Sequence, residues 1–424
     1  MFIFTIRPNM DFLKNKFFLL VPVLAAVIYC YIEAEGKGDF YIFMSAAGDL
    51  SAGKDVYRTS YAGGYNYFYS VFFALVLRFF YAMPFFWMKF YWLLLNLFLY
   101  CHLFQLLAGS AMVNRLATKQ KQWFLVLVFI FSFRFFHENI HTSQITILIL
   151  WCCIYGICLI QRDRVVSGSA ILALGINIKL LPLVFLPYLF YRGYFKALFF
   201  TILFYFFALF SPSLIIGHDY NMSLLKSWLE LINPLQQRHV LDVDERSFHS
   251  LSTLLSTLLV KEVPDTFAMD LKRNIADISL PALAKVLLAV RLALVGLTLY
   301  FMRWKPFVKA PSLLNNFIEI SYILLLIPLI FPHQQHYAFL FMAPAFALIL
   351  FSLMYNFKNT GRIQRQLLVA LLALIYLVAN LKILFGEFNR YYEHFKILTY
   401  AALLLIPLLI WVVRENKKNP LKDF

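Results

Sequence analysis

Long apolar runs alternate along this chain with short polar, mostly basic interruptions. A helix that crosses a bilayer needs about 20 apolar residues, and runs of that order recur from one end of the sequence to the other. The first, about 17–34, begins beside Lys14 and Lys16, so the basic bias of cytoplasmic loops directs it outward. With Arg7 it resembles a secretion signal, but no small-residue cleavage site follows, and it reads as a retained helix. The stretch of about 66–107 is too long for one span and holds Arg78, Pro84 and Lys89 in its middle. Two spans there would place Arg115, Lys119 and Lys121 outside, against the charge rule. An interfacial helix over about 66–83, followed by an inward span over about 86–107, keeps that cluster inside.

The same reasoning assigns spans at about 123–136, 144–160 and 197–216. Between the last two, about 165–191 is basic at both ends and carries Lys179 and Pro182 near its middle. It is expected to form two short helices meeting near the outer face, because irregular backbone at membrane depth survives only where protein or water covers it. One long polar segment, about 217–280, is then external, and five spans follow at about 281–302, 313–332, 337–355, 367–385 and 396–413. The expectation is an all-α polytopic membrane protein of about 12 transmembrane helices. It forms a single transmembrane domain over 1–424, with a first external loop at about 35–85.

Composition agrees. Hydrophobic residues make up 62% of the 424, with a mean hydropathy of +0.73, whereas soluble domains are about half apolar. A net charge of +16 would suit a nucleic-acid binder, but the Lys and Arg residues sit in clusters between apolar runs, so membrane orientation explains them and no nucleic-acid partner is expected. The five cysteines all lie inside apolar runs and read as small buried hydrophobes. No dinucleotide fingerprint, P-loop or zinc motif is present.

Against this background the run from Glu33 to Tyr69 stands out. It holds Asp39, Asp49 and Asp55, although only 14% of all residues are charged. By the charge rule it lies outside, as do the His137–Gln144 patch, Lys179, the 217–280 segment and the pair His333/His336. One external site is the simplest reading.

The residues Gly38-Asp39-Phe40-Tyr41, then Ala46-Ala47, Leu50, Gly53 and Val56-Tyr57, resemble the opening loop of glycosyltransferase family 87, the polyprenol-phosphate-mannose-dependent mannosyltransferases of the GT-C superfamily. Four further stretches follow in that family's order. Ser143-Gln144 stands where the family has Gly-Gln-x-Asn, Asn177 to Pro182 is similar to its Lys-x-x-Pro segment, Arg246 to Leu251 to its Asn-x-Ser-leucine stretch, and His333-Gln334-Gln335-His336 to its histidine-rich motif before a late helix. Departures include Ser-Gln-Ile-Thr in place of Gly-Gln-x-Asn and no tyrosine-proline pair around Tyr67. The resemblance runs from about residue 38 to 350. It implies a GT-C-type helical bundle with juxtamembrane helices in the first external loop. It also implies a lipid-phosphate sugar donor and transfer of a hexose, mannose in the family, to an external acceptor (a glycolipid, a glycan or a protein) with inversion. The Phe- and Lys-rich style points to a bacterial inner membrane.

In an inverting transfer the acceptor hydroxyl loses its proton as it attacks, and a carboxylate in reach takes it. The resemblance makes Asp39 that base; the competing reading is an N-cap for the helix starting at Phe40. Asp49 and Asp55 read as caps or solvated charges. The departing phosphate calls for cationic donors, and Lys54, Arg58, Lys179, Arg246, His333 and His336 are candidates. Lys179 is foremost among them, since a lysine in an apolar segment faces a partner or a cavity, or snorkels. Gln144 and His137 are expected to contact sugar or phosphate. The His137/His141 spacing would suit a metal only on a helix, which Asn139 disfavours. No cofactor is expected; a divalent metal on paired carboxylates is compatible with the chemistry but not required by it, because the leaving group is already a phosphate. The rival classes are a lipid-linked oligosaccharide flippase or other transporter, which calls for mid-bilayer charges, internal repeats and discontinuous helices in both halves, and a polysaccharide polymerase or ligase.

Overall fold

The computed structural model describes residues 16–418 other than 234–236, 244, 262, 264, 266, 267, 304, 311, 357–360 and 385. Arg7 and Lys14, used above to orient the first helix, lie outside them. The described residues are helical almost throughout, with two isolated bridges and no strands. Among the described residues, eight helices are long and apolar enough to cross a membrane: Phe85–Ala108, Thr118–His141, Phe195–Ile216, Leu280–Phe301, Leu313–Ile330, His336–Tyr355, Arg362–Asn380 and Ile397–Glu415. Four shorter apolar helices, Val23–Glu33, Thr146–Gln161, Val165–Ile178 and Leu181–Tyr191, supply the rest of the expected set. At 1.5 Å per residue the last three fall short of a hydrocarbon core of about 30 Å, whereas the first is the end of the longer helix Lys16–Glu33. The protein is a polytopic helical membrane protein.

Two compact units emerge, Met1–Gly109 with His137–Asn233, and Ser110–Phe136 with Pro234–Phe424. In the first unit, Thr146–Gln161 and Val165–Ile178 pack as a hairpin at the closest approach glycine allows. A Cβ on Gly168 would sit 2.6 Å from the Gly156 carbonyl oxygen, and one on Gly175 would sit 2.8 Å from Cys152 Cβ. Small residues at such crossings let apolar helices gain contact where no hydrophobic drive separates protein from lipid. The hairpin matters because its second helix ends at Lys179. On its other side Ser169 Oγ donates to the Ala197 carbonyl at 3.0 Å, which seats Phe195–Phe210 while Phe199 and Phe207 stay exposed as on a lipid-facing side.

The helix Phe40–Ser51 is fastened by rings. Phe43 meets Tyr69 edge-on at 4.7 Å and Phe73 at 5.6 Å, and Phe40 stacks on Trp92 at 5.6 Å, geometries that add about 0.5–1.5 kcal/mol per pair beyond burial. The expected interfacial helix of 66–83 is shorter, Val71–Arg78, because Ser70 ends the extended run and caps it, its Oγ accepting from Phe73 N at 3.1 Å. Nor is 217–280 a plain loop, since it contains the helices His218–Ile232 and Leu251–Leu259.

The second unit has a centre formed by Leu313–Ile330 and Ala343–Tyr355, both nearly wholly buried. Leu280–Phe301 lies outside it, with Leu288 and Leu292 exposed. Arg134, fully buried, is held through Nη1 by the Ala379 carbonyl and by Tyr392 Oη at 2.9 Å, which gives acceptors to a group that would be costly without them.

Candidate active site

In the first unit the entry to Phe40–Ser51 is docked backbone to backbone. Gly38 takes a left-handed φ of +55°, and a Cβ there would meet the Thr142 carbonyl oxygen at 2.9 Å, so only glycine allows the approach. Asp39 N then donates to that same carbonyl at 2.9 Å. The receiving turn is itself clamped: Ser143 is left-handed at +59°, its carbonyl accepts Trp92 Nε1 at 3.1 Å, and Gln144 N donates to the Asn139 carbonyl at 2.8 Å. On the incoming side the buried Lys89 ammonium reaches the Gly36 carbonyl at 2.7 Å and that of Glu33. The result is a direct hydrogen bond from Gln144 Nε2 to Asp39 Oδ2.

Asp39 occupies the N-cap position of its helix but makes no side-chain capping bond. The carboxylate is therefore not consumed by the role that aspartate commonly plays there. Burial raises its pKa above the usual carboxylate range, against the opposing pull of the Gln144 hydrogen bond and the charge of Lys179.

Lys179 follows directly after Val165–Ile178, in extended backbone, before Pro182 opens the next turn. Its ammonium lies 5.5 Å from the centre of the Tyr69 ring. Tyr69 is positioned by its neighbour Ser70, whose N donates to the Ile178 carbonyl at 3.3 Å and whose Oγ donates to Asn177 Oδ1 at 3.0 Å. Burial brings the Lys179 pKa down to about 8, with Asp39 acting in the opposite direction. Asp39 and Lys179 thus each shift the other's titration, with the Lys179 ammonium beside the Tyr69 ring.

The other candidates of this unit are engaged elsewhere. Lys54 pairs with Asp49 at 2.9 Å in the open. Arg58 pairs with Asp55 at 3.5 Å and Glu230 at 3.6 Å, and Asp55 also accepts from Ser227 Oγ at 2.6 Å. Asn139 does not break the helix: Thr118–His141 runs through it and stacks the rings of His137 and His141 at 5.9 Å. His137 also stacks on Tyr29 at 5.7 Å, and His141 Nδ1 meets Glu33 at 3.0 Å.

The second unit holds the remaining candidates around a short ladder in which Phe248 bridges Gln335 and His249 N donates to the Gln334 carbonyl at 2.8 Å. On one side His333, left-handed at φ +56°, sends both its backbone N (2.8 Å) and its Nδ1 (2.9 Å) to Asp242 Oδ1, while its Nε2 meets His239 Nδ1 at 2.6 Å. Asp242 is fully buried and also accepts from Ser250 Oγ and from Thr253 Oγ1 at 2.7 Å. Burial would raise its pKa, but His333 and the hydroxyls hold it below the ordinary value. On the other side His249 and His336 converge on Glu393, each at 2.9 Å. Among the described residues these three form a group whose ligand atoms all lie within 4.8 Å of one another, close enough to hold a metal ion. Arg246 is half-buried, and its carbonyl accepts Lys396 Nζ at 3.0 Å.

Asp242, His239 and Glu393 were missed in the sequence. Asp242 sits in the polar run Asp242-Val243-Asp244-Glu245-Arg246, where it looks solvated, and Glu393 in a short aromatic stretch between the last two spans. An acidic residue wedged between tyrosines and a histidine was the available signal.

The chain is thus a helical membrane scaffold with a half-buried carboxylate and a half-buried lysine that interact electrostatically. The sequence model of glycosyltransferase family 87 matches residues 67–332, more than half of the chain, which therefore belongs to that family. No curated protein matches, and no solved structure matches. The protein is thus a membrane glycosyltransferase. Gln144, Lys179 and Arg246 fall inside the matched stretch, whereas Asp39, His333 and His336 fall outside it.

Proposed function

We propose that the protein moves a hexose, mannose by the resemblance, from a polyprenyl-phosphate donor to an acceptor on the extracytoplasmic face of a bacterial inner membrane, with inversion. The observation that carries this reading is the Asp39 carboxylate: half-buried, not spent on its helix, aligned by Gln144 and paired electrostatically with Lys179. The acceptor hydroxyl oxygen attacks the anomeric carbon, its proton passes to Asp39, and the carbon–oxygen bond to the phosphate breaks. The electron pair leaves with polyprenyl phosphate, whose growing charge the Lys179 ammonium stabilises. Gln144 acts on this reading by orienting Asp39. His137 is assigned to sugar contact by the resemblance. Lys54, exposed and paired with Asp49, and His336, facing Glu393, receive no donor role here.

The test is transfer by purified protein from synthetic polyprenyl-phosphate hexoses differing in sugar, with membrane extracts as acceptors, and the anomeric configuration of the product read by NMR. Inverted product from the mannose donor is expected. Retained configuration, or transfer only from sugar nucleotides, refutes the reading.

A further inference from the structure

His249, His336 and Glu393 come from three elements far apart in the chain: the turn before Leu251–Leu259, the start of the His336 helix and the short helix Asn389–His394. All three side chains are buried. The two Nε2 atoms lie 3.0 Å apart, and Glu393 Oε2 is 2.9 Å from that of His249 and 3.1 Å from that of His336. With Glu393 ionised, no placement of protons on the two Nε2 atoms satisfies this arrangement. If both Nε2 atoms carry hydrogen for the carboxylate, two N–H groups face each other across 3.0 Å; if one does, the other presents a lone pair to a carboxylate lone pair. A single cation among the three satisfies every lone pair at once.

We propose that His249, His336 and Glu393 form a buried divalent-metal site, with zinc as its fitting ion. Two imidazoles and a carboxylate are the ligand set of three-ligand zinc centres, which keep one position for a water or another oxygen. Bonds of about 2.0–2.1 Å place tetrahedral ligands about 3.3 Å apart, so the trio admits the ion with an outward shift of about 0.3 Å. The mounts are firm: Thr399 Oγ1 donates to the His249 carbonyl at 2.6 Å, and the His249 ring lies 5.6 Å from Tyr392. His249 Nδ1 is buried without a protein partner. The outer hydrogen bond that usually supports a metal-bound imidazole is worth 10–100-fold in affinity, so binding is expected to be weaker than in fully supported sites. Lys396, which donates to the Arg246 carbonyl nearby, adds positive charge that works in the same direction.

This inference is independent of the transfer reaction. Untagged protein in detergent is stripped with EDTA, dialysed and titrated with Zn²⁺ against a competing chromophoric chelator, with metal content read by mass spectrometry. One equivalent per chain is expected for the wild type, with at least tenfold weaker binding in Glu393→Gln and in His336→Ala, both checked for a monodisperse gel-filtration peak. Zn²⁺ affinity unchanged in the variants overturns the site, as does no binding by the wild type. Should the variants fail to fold, Co²⁺ added to wild type decides: the intense visible bands of a tetrahedral centre support the site, and only weak octahedral bands overturn it.

Discussion

Replacing Asp39 by asparagine removes one function and leaves the fold intact. The amide is isosteric, its Oδ1 still accepts from Gln144 Nε2, and the backbone bond from residue 39 to Thr142 is unaffected. No helix cap is lost, because Asp39 makes none. What disappears is the proton acceptor, and general-base catalysis contributes about 10²–10⁴ in rate, or about 3–5 kcal/mol of barrier. A second effect follows from the pairing. Asp39 supports the charged form of Lys179, whose pKa is already lowered to about 8 by burial. Without the carboxylate that pKa falls further, so donor affinity in the variant should match wild type at pH 6.5 and weaken by pH 8. The assay is transfer from a radiolabelled polyprenyl-phosphate hexose, with donor binding measured in parallel at both pH values. A kcat within threefold of wild type would refute Asp39 as the base. Equal donor binding by variant and wild type at pH 8 would refute the coupling to Lys179.

Lys179→Gln should raise the donor KM more than tenfold. It should also abolish an alkaline limb that wild type shows near pH 8: a cation with a lowered pKa is present below that value and lost above it. A wild-type pH profile flat through pH 9 contradicts this. Gly168→Val places a side chain where even a Cβ meets a backbone oxygen at 2.6 Å. Overpacking of this kind costs about 1–3 kcal/mol and should lower the midpoint of thermal aggregation in detergent; an unchanged midpoint would mean that the hairpin crosses less tightly.

The helical membrane architecture was legible in the chain because the requirement to bury backbone polar groups in lipid leaves a local trace, an apolar run of a given length with basic flanks. Asp39 and Lys179 were legible for a related reason: charge within or beside an apolar run is costly and must be accounted for. Hydropathy could not tell which helices fall short of spanning, since Val165–Ile178 ends, and its successor begins, at the break in regular backbone around Lys179. Nor could residue types show that Gln144 is committed to Asp39, that His137 stacks on Tyr29, or that His336 faces Glu393. Asp242, looking like a solvated loop charge, is the most buried carboxylate of its cluster because Ser250, Thr253 and His333 close around it. Local sequence determined which segments enter the membrane and where charge is anomalous. The partners of those charges, separated by 57 to 144 positions, were decided only by tertiary packing, because a hydrogen bond depends on where two side chains meet and not on what either is next to in the chain.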